Sequence, residues 1–176
     1  DPLVGKIVDE RYEVIRLVGA GAMGAVYEVR HLRLGKRFAM KVIRQEFGQA
    51  PEFSARFERE AKSTSRLEHP NCISVTDYGH AATGELYLVM EYLEGRPLSE
   101  FIGKPAPVSI AFPLVRQILL GLQHAHSAGV IHRDIKPENV IVLDASDGSR
   151  VVKVLDFGVA KFDAARYLAL AAQHRA

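Results

Sequence analysis

From residue 37 to residue 43 apolar side chains occupy both faces of a two-residue period. Ala39, Lys41 and Ile43 fall on one face, Phe38, Met40 and Val42 on the other. Such a run predicts a strand covered on both sides, and it places one lysine among apolar neighbours. That lysine either snorkels to water or reaches an anion. Shorter runs of the same kind predict strands at 12–18, 26–31, 73–78, 86–91, 140–143 and 151–155. A helical period replaces the alternation over 51–67, where Phe53, Phe57, Ala61, Thr64 and Leu67 form one stripe. Glu60 falls on that stripe, so it is either paired with a cation or sits at a solvated edge. Pro70 ends this segment, because the residue before a proline is pushed out of helical geometry. Leu114, Ile118, Gly121, Leu122 and Ala125 mark a second, longer helix over about 109–128, capped near Ser109 and stopped by Gly129. Pro113 lies early in it and costs at most a first-turn hydrogen bond.

These elements predict an α+β chain with a β-rich first part carrying one helix, residues 1–94, and a helical second part, 95–161. The Glu94-Gly95-Arg96-Pro97 stretch separates them, since Gly and Pro punctuate two periodic segments. Residues 162–176 read as an Ala-rich helical tail.

Composition narrows the function classes. The chain has 176 residues, 48% hydrophobic and 25% charged, which excludes a collagen-like or disordered polymer. One cysteine, Cys72, excludes an internal disulfide and a multi-cysteine zinc site. The 23 basic and 21 acidic residues leave too small a surplus to suggest a nucleic-acid partner. No apolar run reaches membrane-spanning length and the N-terminus is not a signal peptide, so a cytoplasmic protein is expected, with a membrane anchor on a longer parent chain left open.

Three motifs carry candidate chemistry. Gly19, Gly21 and Gly24 are spaced G-x-G-x-x-G between two strands. A dinucleotide fingerprint needs a helix after the glycines; a strand there makes this a hairpin. Its backbone N–H groups can approach phosphate oxygens, or it is a plain flexible turn. Next, His132-Arg133-Asp134-Ile135-Lys136-Pro137-Glu138-Asn139 is dense in polar groups yet follows the apolar Gly129-Val130-Ile131. It offers a carboxylate base, a cation for a phosphoryl group and an amide oxygen for a hard metal. Last, Asp156-Phe157-Gly158 brings a carboxylate to the end of an apolar strand, a position that suits Mg²⁺.

Together and in this order, with Ala39-Met40-Lys41 and Glu60, these motifs resemble the eukaryotic-type Ser/Thr protein kinases, in the branch also found in bacteria. The resemblance runs from about residue 11 to 161. It implies a two-lobe kinase fold, complete in the small β-rich lobe and truncated in the helical lobe. It also implies ATP and Mg²⁺ as cofactors and a protein substrate bearing Ser or Thr. Residue by residue, it implies that Lys41 holds the α and β phosphates and pairs with Glu60, and that Asp134 orients the substrate hydroxyl and takes its proton. Lys136 would neutralise the γ-phosphate, and Asn139 and Asp156 would hold Mg²⁺. Glu91 and Leu93 would offer backbone groups to adenine with Met90 behind it, and Val26, Ala39 and Ile141 would sandwich the base. Phe157, His132, Val75 and Thr64 would form a packed column between the lobes, softened by the polar Thr64.

The chain departs from the family after Gly158. No Ala-Pro-Glu motif occurs, and 162–176 do not resemble an activation loop. This leaves open part of a larger kinase, a naturally shortened one, or a nucleotide-binding or docking module without turnover. A helical lobe lacking its later helices is expected to leave the aliphatic face of the 114–125 helix partly exposed and to invite self-association.

Overall fold

The computed structural model describes residues 1–157. The tail expected over 162–176, the end of the second part at 161, and Gly158 lie outside the described residues. Nine strands and three α-helices follow in chain order among them: β1 Ile7–Val8, β2 Tyr12–Gly21, β3 Gly24–His31, β4 Arg37–Ile43, α1 Gln45–Gly48, α2 Pro51–Ser65, β5 Val75–His80, β6 Leu86–Glu91, β7 Arg96–Pro97, α3 Val108–Ser127, β8 Val140–Asp144 and β9 Arg150–Val154.

Six strands make an antiparallel sheet in the order β1-β2-β3-β4-β6-β5. The alternation of β4 decides where its two faces pack. Met40 and Val42 enter one buried cluster with Tyr12, Val14, Val29 and Tyr87, and Phe38 packs against it. Ile43 enters the other with Phe53, Phe57, Ala61 and Leu67, and Ala39 packs against that one. All five apolar-stripe residues of the first predicted helix, Thr64 included, are buried, so α2 lies with that stripe on the sheet.

A second sheet, β7-β8-β9, lies beyond the Gly-Pro stretch, and the Arg96–Pro97 part of that stretch is itself β7, paired with β8. The two sheets are joined by the segment between α2 and β5. Cys72 bridges Val154 in parallel register, Ile73 N–H donates to Val154 O at 3.0 Å and Val154 N–H to Asn71 O at 2.9 Å. The buried Asn71 side chain donates to Val152 O at 2.8 Å and to Gln117 of α3 at 3.0 Å.

Two expectations about the long helix change. It begins at Val108 after Pro107 with no side-chain cap, so Ser109 is inside it, and Pro113 sits deeper than the first turn and removes a bond to Ser109. Of the predicted stripe, Leu114, Gly121 and Ala125 are buried while Ile118 and Leu122 are half-buried, so that face is open only in part. The exposed apolar stripe is a different one, Val108, Phe112, Val115 and Leu119, at helical spacing. The helix ends as predicted. Gly129 takes φ 76° and donates to His126 O at 2.9 Å, while Val130 N–H reaches back to Ala125 O at 2.8 Å. This is a Schellman stop with its apolar contact, Val130 on Ala125, inside the core. It delivers the chain directly into Ile131-His132-Arg133-Asp134.

Candidate active site

Three pieces of backbone bring the polar motifs together. The first is the β2–β3 hairpin, where Gly21 pairs with Gly24 around a two-residue turn. A Cβ on Gly24 would sit 2.0 Å from Val42 O, so the close approach of β4 demands glycine there. A Cβ on Gly19 or Gly21 would meet no protein atom within 4 Å. Packing gives no reason for those two glycines, and the open space above them suits an approaching anion. The hairpin also carries a residue the sequence reading missed. β2 has extra residues at Ile15 and Val18, because Leu17 and Gly19 face consecutive residues Tyr27 and Val26. Val18 is left 49% exposed at the hairpin base.

The second piece is the wall formed by β3, β4 and β6. Val26 pairs with Lys41, and Ala39 with Met90, which is buried at the back of the sheet. Glu91 spends its side chain on structure, accepting from Ser74 N–H at 2.9 Å and from Lys153 Nζ at 2.7 Å. Its own N–H donates to Ser74 O at 2.9 Å. Leu93 follows, half-buried against the main core, and Ile141 lies on β8 opposite Pro97 and Lys153.

The third piece is the turn after α3 and the end of β9. His132 is 3% exposed and both ring nitrogens are used. Nε2 lies 2.5 Å from Leu155 O, and Nδ1 accepts from the Asp134 N–H at 3.1 Å. The proton therefore sits on Nε2, and the imidazole staples the loop to β9. Asn139, buried, donates from Nδ2 to Asp134 O at 3.0 Å and lies 3.4 Å from Asp134 Oδ2. Leu155 N–H donates to Asn139 O at 2.8 Å, which sets Asn139 beside Asp156. Lys136 Nζ is 3.4 Å from Asp134 Oδ2, and Lys41 Nζ reaches across from β4 to Asp156 Oδ1 at 3.1 Å. Lys41 with Asp156, and Asn139 with Asp134 and Lys136, thus form two bonded groups, joined into one run through the Leu155 backbone bond to Asn139. Arg133 and Asp156 both hold left-handed φ, 66° and 57°. Each costs about 1–3 kcal/mol, and the surrounding bonds offset it.

The donor set fits a hard cation. With Nδ2 turned to Asp134, Asn139 presents its amide oxygen, and Asp156 presents a carboxylate. Mg²⁺ is commonly held by one or two carboxylates, taking its other oxygens from water and phosphate. The run from Lys41 to Lys136 then places two ammonium groups for phosphate and one carboxylate for a proton.

The expected Lys41–Glu60 pair is not formed. Glu60 Oε1 instead accepts from Arg56 Nε at 3.0 Å, one turn earlier on α2, and lies 3.7 Å from Arg133 Nη1. The reason is competition: two guanidiniums stand nearer to Glu60 than Lys41 does, and Lys41 has Asp156. A cavity of about 360 Å³ opens on this side, lined by Arg56, Arg59, Glu60, Thr64 and Arg133. The column from α2 to β9 is present. His132 meets the Phe157 ring edge-on at 4.9 Å, Val75 packs in the same core, and the Thr64 hydroxyl lies 3.2 Å from Phe157 O. Thr64 contributes a buried hydrogen bond where an aliphatic residue would contribute packing.

Comparison with known proteins settles the ancestry. The protein kinase domain family matches residues 12–168. This chain belongs to the protein kinase family. It is 45% identical over 163 residues to the serine/threonine-protein kinase pkn3 of Myxococcus xanthus, a match covering 92% of this chain and 30% of that protein. It is 42% identical over 166 residues to the serine/threonine-protein kinase PknA of Mycobacterium tuberculosis, covering 91% and 38%. The crystal structure of the Mycobacterium tuberculosis PknI kinase domain superposes with a TM-score of 0.76 at 32% identity, over 89% of this chain and 63% of that one. The kinase is therefore of the eukaryotic type found in bacteria, and the chain spans about a third of the length of these two curated relatives. No helix among its described residues is long and apolar enough to cross a membrane.

Proposed function

We propose that this kinase chain transfers the γ-phosphoryl group of ATP, bound with Mg²⁺, to a serine or threonine hydroxyl of a protein substrate. The observation that carries the reading is the placing of the Lys41–Asp156 pair beside the Asn139–Asp134–Lys136 group by the Leu155 backbone bond to Asn139. Lys41 holds the α and β phosphates and the hairpin at Gly19 and Gly21 covers them. Val26, Ala39 and Ile141 enclose the adenine, Met90 closes the back, and the backbone at Glu91 and Leu93 reads its edge. Asp134 orients the hydroxyl and accepts its proton. The hydroxyl oxygen bonds to the γ-phosphorus as the bond to the β-phosphate oxygen breaks, and Lys136 meets the charge on the transferring group. Magnesium, held by Asn139 and Asp156, supplies neutralisation of the phosphate charge when bound. A cytoplasmic setting, where ATP is supplied, goes with this reading.

A second reading, a nucleotide-binding or docking module without turnover, is favoured by one observation: Glu60 is engaged by Arg56 and Arg133 instead of Lys41. Transfer of labelled phosphate by wild type and Asp134→Asn, with Mg-ATP binding measured on both, separates the two. The first reading expects a loss of about 10²–10⁴-fold in transfer with binding retained. Equal transfer by both proteins defeats the role given to Asp134. Binding with no transfer by the wild type selects the second reading.

A further inference from the structure

Glu28 is a carboxylate in the middle of β3, 6% exposed, on the same face as Val26 and directly opposite Ala39. A buried carboxylate is tolerated only with partners. Those partners come from two directions. Arg16 of β2 approaches Oε2 through Nε at 2.8 Å, and Arg37 of β4 approaches Oε1 through Nη1 at 3.3 Å. Both arginines also grip Tyr92, the residue between Glu91 and Leu93. Arg16 Nη2 donates to its hydroxyl at 2.7 Å, and the Arg37 guanidinium lies over its ring at 4.9 Å. Arg37 also pairs with Glu94, one residue past Leu93. Burial alone raises the Glu28 carboxyl; the hydrogen bond from Arg37 and the charge of Arg16 outweigh it, so the group stays ionised.

We propose that the Arg16–Glu28–Arg37–Tyr92 cluster is a positioning clamp that fixes the connecting segment 91–94 against the wall at Val26 and Ala39, and so sets the affinity of the chain for the base of a nucleotide. The inference rests on the nucleotide-binding reading above. Its physical content is a distance. The backbone that reads the base edge and the apolar wall that covers the base face belong to separate segments, and Glu28 ties the second to the first through Arg16 and Arg37. Arg16 and Arg37 are 56% and 51% exposed and hold a side chain that is 8% exposed, so the carboxylate is the group without an alternative in water. Losing it leaves two guanidiniums without their common acceptor and frees the hold that they have on Tyr92.

The test compares two probes on the same chain, Mg-ATP and Mg-tripolyphosphate, by titration calorimetry. Tripolyphosphate keeps the charge and has no base. Glu28→Gln is expected to weaken ATP about tenfold and to leave tripolyphosphate within about twofold. Tyr92→Phe, which keeps the ring under Arg37 and removes only the hydroxyl, is expected to give an intermediate loss. Glu13→Gln breaks the exposed Arg30–Glu13 pair on the same two strands and is expected to change neither probe. Equal weakening of both probes by Glu28→Gln, or an unchanged ATP affinity, overturns the clamp. Failure of the wild type to bind either probe overturns the nucleotide reading beneath it. Should Glu28→Gln not fold, Tyr92→Phe alone decides: no selective loss of ATP refutes the proposal.

Discussion

The turn at 132–139 and the helix α2 both carry charged side chains to which the proposed reaction assigns a part, yet only one of them has the partners that the proposal asks for. The turn is fixed by short-range bonds that tolerate no alternative. His132 uses both nitrogens on it, Asn139 bonds back to Asp134, and Leu155 closes on Asn139. Glu60 is held by side chains alone. Its partners Arg56 and Arg133 are long, partly solvated groups whose pairing is worth little in water. A site assembled from backbone bonds has one arrangement; a site completed by an ion pair between elements has as many as there are cations within reach. In protein kinases the lysine–glutamate pair must be in place for turnover. In this chain it is therefore the adjustable part, and the turn is the constant one.

The contrast can be broken or sharpened by experiment. The loss expected of Asp134→Asn sets the upper end of the scale, since it strikes the constant part. Arg56→Gln strikes the adjustable part. It removes the nearer partner of Glu60, and an increase in transfer of about two- to fivefold is expected as Glu60 turns to Lys41. Unchanged or lower transfer, measured beside unchanged thermal stability, would show that Arg56 does not hold Glu60 back. A weaker effect is expected at the exposed stripe Val108, Phe112, Val115 and Leu119. Through it the chain is expected to self-associate with rising concentration, and Leu119→Lys to reduce this. Light scattering that reports a constant monomer mass at high concentration rejects the idea.

The smallest effect is on acid stability, and it separates the two sheets. His69, packed on His124 at 5.1 Å, is held below the ordinary histidine value by burial first, then by the charges of His124 and Lys153. Its folded value is depressed, so its contribution is full above about pH 6.5 and is lost as pH falls through the folded value. Glu28 is lowered for the reasons given above, and Asp9 by hydrogen bonds from Arg11 and Tyr87. Both contribute above the ordinary carboxylate range of about 4 and lose it below. Melting temperatures are expected to fall slightly between pH 7.5 and 5.5, where an ordinary histidine in the unfolded chain takes up its proton while the folded His69 resists it, and further below pH 4. His69→Gln is expected to flatten the first step alone. A wild-type melting temperature that rises from pH 7.5 to 5.5 contradicts the sign.

Much of this was legible from periodicity. The alternation at 37–43 sorted Met40 and Val42 from Ile43 onto the two faces that they occupy, and the stripe from Phe53 to Thr64 is the buried face of α2, with Leu67 buried just past its end. Gly129 could be read as a helix stop because a left-handed residue is needed there. Short elements could not be read. Ile7–Val8 and Arg96–Pro97 are strands only because β2 and β8 supply partners, and two residues carry no period of their own. Partner choice was the other blind spot. Glu60 was visible as a carboxylate needing a cation, but its sequence does not say which of three cations stands nearest. Glu28 carried the same signal, an acid two residues from Val26 on an apolar strand, and asking of it what was asked of Glu60 would have found the cluster around Tyr92.

The stitch between Asn71 and β9 has a further consequence, for the order in which the chain acquires its shape. The Asn71 side chain and its acceptor on Val152 are 81 positions apart. A ribosome must therefore release nearly the whole of the described chain before the segment leading into β5 finds its seat. Until then the six-stranded sheet has an unfinished floor, with Cys72 and Ile73 uncovered, and a polypeptide halted between α3 and β8 would be a ready client for chaperones.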